Sequence, residues 1–239
     1  MAGGDAGRED SENPGVGALE TGDAGMEMKP RSVHVDVFSD YTCPWCYVGW
    51  ARLESALGRV PAEVDVDVRW RPFEIHPEVP VEGMPVEELP YSREQWAQMQ
   101  EALRRSAGEE GLEVGMRPKV SNTHRALMAG EYARVEEPER FPGFHEALFK
   151  GYFARGRDLG DPAVLEDIAR SCGLDVGRMT DALDGGEYEA AITTTTEMAG
   201  QLGITGTPTF VFDMRYAAVG AQPAEALLQG IDAALGCSP

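Results

Sequence analysis

Two cysteines lie three residues apart at the point where a predicted strand gives way to a predicted helix, and this arrangement restricts the fold more than any other feature. Residues 33–38 alternate apolar and polar side chains, which is the period of a β-strand. After a short turn-like segment, Cys43-Pro44-Trp45-Cys46 opens a stretch whose apolar residues recur on one helix face as far as Gly58. The predicted order is therefore strand, turn, Cys-x-x-Cys and helix.

This placement predicts reactive sulfur chemistry. A thiol at a helix N-terminus lies near unpaired backbone N–H groups and the positive end of the helix dipole, and both favour the thiolate. Because thiolate is the nucleophile of disulfide exchange, we predict that Cys43 attacks and that Cys46, one turn later on the apolar face, is the more buried, resolving thiol. Pro44 suits a first helical turn, and Pro44 and Trp45 are candidates for the substrate surface, with packing as the alternative for Trp45. Two purely structural thiols are the other interpretation of the pair.

The rest of the chain predicts one α/β sheet interrupted by helices. Residues 64–71 alternate without a fault and form a second strand near a sheet edge, so that the first two strands and their helix make a βαβ unit. Strand character returns only near the C-terminal end, where two strands and a helix are predicted. The predicted elements after the second strand are a capping box at 92–95, helices at 122–135, 141–154, from 161, 175–183 and 188–202, strands at 209–212 and 216–219, and a helix at 223–235.

Charge and composition exclude several classes of function. The net charge of −20 argues against nucleic acid binding, which needs clustered Lys and Arg. No apolar run approaches the 18 or so residues of a membrane helix, so we expect no membrane partner. Residues 1–30 contain seven acidic and two basic residues and much Gly, without the apolar segment of a secretory signal. We interpret them as a disordered acidic tail and expect the protein to be cytoplasmic.

Several separate motifs together resemble the DsbA-related branch of the thioredoxin superfamily, specifically its cytoplasmic FrnE-like proteins. The resemblance extends over roughly residues 32–236, and each motif alone would be weak. The matching segments are residues 39–49 (Ser-Asp-Tyr-Thr-Cys-Pro-Trp-Cys-Tyr-Val-Gly), 70–74 (Trp-Arg-Pro-Phe-Glu), Asn122-Thr123, 148–156, 203–210 (Gly-Ile-Thr-Gly-Thr-Pro-Thr-Phe) and 220–223 (Gly-Ala-Gln-Pro).

The resemblance implies a thioredoxin-like fold interrupted by an inserted all-helical domain, with the active site at their boundary. The implied domains are residues 31–75 and 203–239 for the thioredoxin-like part and 76–202 for the insertion. It also implies that the Thr207-Pro208 peptide is cis and faces the cysteines, where an extended substrate could pair with the backbone. The implied activity is that of a protein-disulfide oxidoreductase or isomerase, acting on protein or small-molecule disulfides.

Alternatives remain at this point. One is a glutathione-dependent isomerase or kappa-type transferase on the same fold, although those relatives typically have Ser where Cys43 stands. Another is a metal-binding module, but structural zinc usually needs two cysteine or histidine pairs, and the second pair is missing. We therefore expect no metal and no bound cofactor, with glutathione as a candidate redox partner and a homodimer left open. His124 is a weak candidate for the substrate cleft, a helix-surface histidine being the alternative; Cys172 is predicted to be a small core residue and Cys237 an exposed one.

Overall fold

The computed structural model describes Met1 and residues 31–89, 91–117 and 119–236. Apart from Met1, the predicted acidic tail lies outside these residues, as does Cys237. The strands are β1 (Arg31–Ser39), β2 (Val64–Pro72), β3 (Met84–Pro85), β4 (Lys119–Val120), β5 (Thr209–Phe212) and β6 (Tyr216–Val219). The α-helices are α1 (Pro44–Leu57), α2 (Arg93–Glu109), α3 (His124–Glu136), α4 (Phe141–Phe153), α5 (Pro162–Ser171), α6 (Val176–Asp184), α7 (Glu189–Leu202) and α8 (Ala224–Ala234), and a 3-10 turn spans Val86–Glu88.

The main sheet joins the two ends of the described chain. Its strand order is β2-β1-β5-β6, with β1 parallel to β2 through the α1 crossover and antiparallel to β5. β2 is an edge strand, and the N-terminal βαβ and C-terminal ββα segments form one sheet. Both predictions from the alternating patterns are confirmed.

Alternation along β1 places apolar side chains on both faces of the sheet, and helices bury both. Val35 and Val37 point toward α1 and α8, where they pack with Leu53 and Ile231. Phe38 lies on the other face and packs with Val211 and with Ala199 of α7. Helix α7 therefore packs against the sheet, and it also contacts α3 of the inserted segment. The domain boundary expected at residue 202 stays a prediction.

The segment between the halves of the sheet is mainly helical, although a short strand pair in it corrects the expectation of an all-helical insertion, and it shares a core with the cysteine pair. Helices α3 to α6 bury a cluster that contains Phe144, Leu148 and Phe149, and both Cys43 and Cys46 belong to the same cluster. The capping box is present at the start of α2, where the Ser92 side chain and the Gln95 side chain each bond the backbone N–H of the other residue.

A short ladder between β3 and β4 was not predicted from the sequence. Met84 pairs with Val120 and Pro85 with Lys119 in antiparallel register. Two residues per strand are too few to produce a detectable alternation. Gly83, at φ +80, allows the close approach, since a Cβ there would lie 2.8 Å from the carbonyl oxygen of Val120.

Candidate active site

The two thiols lie at the first turn of α1. Cys43 is the N-cap, with extended backbone angles, and Pro44 occupies the first turn, where no N–H is needed. The backbone N–H of Cys46 donates to the carbonyl oxygen of Cys43 at 3.0 Å. Cys43 is 6% exposed and Cys46 is 1% exposed, so Cys46 is the more buried of the two, as predicted.

The loop before β5 lies directly against Cys43. The Thr207–Pro208 peptide bond is cis, and the Cys43 thiol donates to the carbonyl oxygen of Thr207 at 3.4 Å. Gly49 of α1 makes the close approach possible, because a Cβ at this position would lie 2.9 Å from Cγ of Pro208. The fold thus brings residues more than 160 positions apart together around one sulfur atom.

The environment shifts the two thiol pKa values in opposite directions. The pKa of Cys43 is lowered, first by the hydrogen bond from the Cys46 thiol and further by the side chain of Thr207, against burial, which raises it. The pKa of Cys46 is raised well above its ordinary value by burial and by the neighbouring Cys43 sulfur. The pair therefore consists of a thiolate-prone sulfur beside one that retains its proton.

Asp40 organises the turn that precedes the cysteines, a role that the sequence motifs do not indicate. One carboxylate oxygen accepts from the backbone N–H and hydroxyl of Thr42, at 2.9 and 3.0 Å. The other accepts from the Ile75 N–H at 2.9 Å and the Thr123 hydroxyl at 3.2 Å, which ties this turn to the end of β2 and the start of α3. Burial raises the pKa of Asp40, and its charge in turn raises the pKa of Cys43. The two residues between the cysteines carry no negative charge, but the turn before them does.

A cavity of about 280 Å³ opens beside Cys43. We call its two sides the floor and the wall. The floor comes from the α1 N-terminus and the loop before β5, and consists of Thr42, Cys43, Pro44, Trp45, Gly206 and Thr207. The wall comes from the inserted segment, and its main side chains are Trp96, Met99, Leu103, Arg117, Tyr152 and Phe153.

Most of the predicted site residues meet at this cavity. Cys43, Pro44, Trp45 and Thr207 line it, whereas Cys46 and Pro208 are buried and do not belong to its lining. Trp45 is half-buried and also packs against the core cluster, so both interpretations of this side chain apply.

The remaining candidates lie elsewhere. His124 does not line the cavity, and its ring bridges Glu74 at 3.0 Å and Glu189 at 2.8 Å across the start of α3. Burial lowers its pKa, but the two carboxylates outweigh burial and the net shift is upward. Cys172 is half-buried at the end of α5, packed against the core of the insertion.

Neither a metal cluster nor a membrane-spanning helix occurs in the described ranges. Among residues 31–89, 91–117 and 119–236, no three His, Cys, Asp or Glu side chains are grouped so that they could hold a metal ion. In the same part of the chain, every helix is too short or too polar to cross a membrane.

The wall contains the residues that sequence reasoning missed. Trp96 and Met99 are on α2, Arg117 precedes β4, and Phe153 ends α4. Trp96, Met99 and Arg117 belong to none of the motifs of the resemblance, and Phe153 lies in the 148–156 segment without being singled out there. The nearest signal is the apolar spacing of Trp96, Met99 and Leu103, which predicts a helix face but does not say what that face covers.

Comparison with known proteins gives consistent matches over the whole sheet and insertion. The family model for the DSBA-like thioredoxin domain matches residues 34–232. The uncharacterized protein YwbO of Bacillus subtilis (strain 168) is 30% identical over 183 residues, which are 75% of this chain and 86% of YwbO. A probable DsbA oxidoreductase of Streptomyces coelicolor is 32% identical with a TM-score of 0.76, covering 87% of this chain and 92% of its own. A 2-hydroxychromene-2-carboxylate isomerase is 16% identical with a TM-score of 0.64, covering 85% of this chain and 94% of its own. This match shows similarity of fold alone.

Proposed function

We propose that this chain, which belongs to the DSBA-like thioredoxin domain family, is a thiol–disulfide oxidoreductase in which Cys43 attacks and Cys46 resolves. The observation that carries the proposal is the opposite shift of the two thiol pKa values at a helix N-terminus that faces the Thr207-Pro208 loop. A nucleophilic thiolate must be available at neutral pH, and a second thiol must stay protonated until it is needed.

The proposed reaction is two consecutive exchanges. The Cys43 thiolate attacks one sulfur of a substrate disulfide, forms a mixed disulfide with that half and releases the other half as a thiolate, which takes a proton from water. The Cys46 thiol then gives up its proton and attacks the Cys43 sulfur, so that the second half leaves as a thiol and a Cys43–Cys46 disulfide remains. Two electrons pass from the dithiol to the substrate, and two molecules of a small thiol such as glutathione restore the dithiol.

The floor of the cavity gives the substrate its place in this proposal. Pro44 and Trp45 offer an apolar surface on one side of Cys43, and Gly206 and Thr207 form the other side, with Pro208 buried behind them. An extended segment bound along this loop would present its sulfur to Cys43.

The proposal also includes the direction of electron transfer and the cellular location of the protein. We place the protein in the cytoplasmic FrnE-like branch, where a reducing environment favours reduction or isomerisation of disulfides over their formation. Protein and small-molecule disulfides are both candidate substrates, and the wall of the cavity bears on the choice.

The alternative is a glutathione-dependent isomerase or kappa-type transferase. Such an enzyme needs only one sulfur site for glutathione, whereas this chain places a second thiol in hydrogen-bonding contact with the first. That contact favours the oxidoreductase.

A redox titration of the full chain in glutathione buffers, followed by acid trapping and mass spectrometry, tests the proposal. We expect a reversible two-electron transition between the dithiol and the Cys43–Cys46 disulfide that disappears in Cys43→Ser. A pair that stays reduced at every ratio, or a stable glutathione adduct on Cys43 that Cys46→Ser leaves unchanged, would contradict it and favour the alternative.

A further inference from the structure

The cavity wall contains a cation that has no acidic partner among the residues that the structure describes. The guanidinium of Arg117 lies over the ring of Phe153 at 4.7 Å and near that of Tyr152 at 5.8 Å. Its Nη2 donates to the amide oxygen of Gln100 at 3.2 Å, while its Nη1 is buried and has no hydrogen-bond partner within the described ranges. In the same part of the chain Arg117 forms no salt bridge, although the sequence has 41 acidic and 21 basic residues.

The charges around Arg117 do not neutralise it. Arg104 faces it from α2 and, after burial, contributes to lowering its pKa. Glu87 lines the neighbouring outer depression together with Arg104 and Arg117, but in the described part of the chain it makes no ion pair with either. A buried guanidinium Nη with an open donor stabilises a carboxylate strongly, because the planar fork matches two carboxylate oxygens.

The rest of the wall is mostly apolar and aromatic, with Gln100 and His76 as its other polar side chains apart from the tyrosines. Trp96, Met99, Leu103 and Phe153 face the same cavity as Arg117 and Cys43. Such a lining suits a ring system, and it offers little to the several charged and amide groups of a glutathione-like peptide.

We propose that the cavity binds a ring-sized apolar disulfide with one carboxylate, whose carboxylate pairs with Arg117 while its sulfur lies at Cys43. The sulfur step rests on the function proposed above and is the same two-electron exchange; the carboxylate pairing does not depend on it. The inference thus names the substrate class of the site as aromatic carboxylic acids bearing sulfur.

Equilibrium binding tests the carboxylate pairing without any redox chemistry. Titration calorimetry on the reduced full chain would compare 2-naphthoate with the neutral 2-naphthalenemethanol. We expect naphthoate to bind more tightly, and Arg117→Met to weaken naphthoate about tenfold or more while changing the alcohol less than about twofold. Arg104→Met removes the same charge from the same face without altering the cavity lining, and should change the affinity for naphthoate less than about threefold.

A kinetic comparison tests the link to sulfur. The second-order rate of reaction with Cys43 would be measured for 5,5′-dithiobis(2-nitrobenzoate), which carries carboxylates, and for neutral 4,4′-dithiodipyridine. Arg117→Met should lower the first rate about tenfold relative to the second, and Arg117→Lys should restore part of the ratio, because it keeps the charge but loses the fork.

The outcomes separate the two proposals. Equal affinity of the wild type for naphthoate and the alcohol, or an equal loss of both in Arg117→Met, would overturn the carboxylate site. An unchanged ratio of the two disulfide rates in Arg117→Met would overturn it as well. Selective naphthoate binding in a protein whose cysteines do not cycle would instead contradict the oxidoreductase and leave the carboxylate site standing.

Discussion

The two helices that border the cavity, α1 at the floor and α2 at the wall, differ in how many of their residues they bury. Helix α1, which carries the floor, buries six of its 14 residues, and its N-terminal cysteines lie in the main core cluster. Helix α2, which carries much of the wall, buries only Leu103 and Ala107 among its 17 residues. Sparse burial gives a lower free energy of local opening. The difference teaches that the proposed sulfur chemistry rests on a well-packed helix, while the α2 part of the wall can change shape or sequence at lower cost.

The sharpest test of the floor is Cys46→Ser. Without the resolving thiol, the mixed disulfide on Cys43 has no internal partner, so turnover of a disulfide substrate should fall by about three orders of magnitude. The mixed disulfide should accumulate and be visible by mass spectrometry of the acid-quenched protein.

Cys172→Ser is the matched control for this variant, because Cys172 is a half-buried thiol on α5 outside the cavity. Its turnover should stay within about twofold of wild type. Full turnover in Cys46→Ser would show that Cys46 does not resolve the mixed disulfide and that the two thiols do not have separate roles.

The contact between α1 and the Pro208 loop gives the next largest effect. In Gly49→Ala the new Cβ would lie 2.9 Å from Cγ of Pro208 and 3.3 Å from the Phe210 ring, so the floor must shift. We expect a loss of about 1–3 kcal/mol in the free energy of unfolding, measured by urea denaturation, together with slower exchange at Cys43.

Gly58→Ala serves as the control at the other end of the same helix. Gly58 has right-handed helical backbone angles, and its Cβ would meet the nearest backbone oxygen at an ordinary 3.6 Å. This variant should be neutral or slightly more stable. Equal losses from both glycine substitutions would mean that the close contact with Pro208 does not set the cost in Gly49→Ala.

A buried hydrogen bond links the turn before the cysteines to helix α4. Tyr41, from the turn before the cysteines, bonds Nδ1 of His145 on α4 at 2.8 Å. Burial lowers the pKa of His145 to about 3, below its value of 6.5 in an unfolded chain. The unfolded state therefore binds more protons between these values, and stability falls as pH drops below about 6.5.

Unfolding of His145→Gln as a function of pH tests whether the buried His145 is held neutral. From pH 7 to pH 5 the wild type should lose about 2 kcal/mol on account of His145, a loss that His145→Gln should not show. His124→Gln should differ in the opposite sense, because the raised pKa of His124 adds stability that is fully present in acid and is lost as pH rises through that pKa. Identical pH dependence in wild type and His145→Gln would show that this histidine is not held neutral.

Local features of this chain could be predicted from its sequence, whereas contacts between distant residues could not. The strand before Cys43, the helix after it and the capping box at Ser92 each follow from a local pattern, and all are present. The pairing of Tyr41 with His145 joins residues 104 positions apart, and no local pattern encodes it. The helix terminus alone also gave an incomplete account of Cys43, since the hydrogen bond from Cys46 is the largest influence on its pKa and Asp40 opposes it.

The smallest expected effect concerns the wall. Trp96 lines the cavity, stacks on Tyr91 with ring centroids 6.5 Å apart and packs near Leu89 and Val120. Trp96→Leu keeps an apolar side chain against those neighbours but removes the ring. Because an aromatic pair contributes about 0.5–1.5 kcal/mol beyond its buried area, the rate with 4,4′-dithiodipyridine should fall about threefold to tenfold.

A substrate without a ring separates recognition from chemistry in this variant. The rate with 2-hydroxyethyl disulfide should stay within about twofold of wild type, because that molecule needs only the floor. Tyr216→Ala, which removes an exposed ring from β6 outside the cavity, should affect neither rate. If Trp96→Leu slows both disulfides equally, the wall supports the cysteine pair itself, and the separation between a rigid chemical side and an adaptable recognition side does not hold.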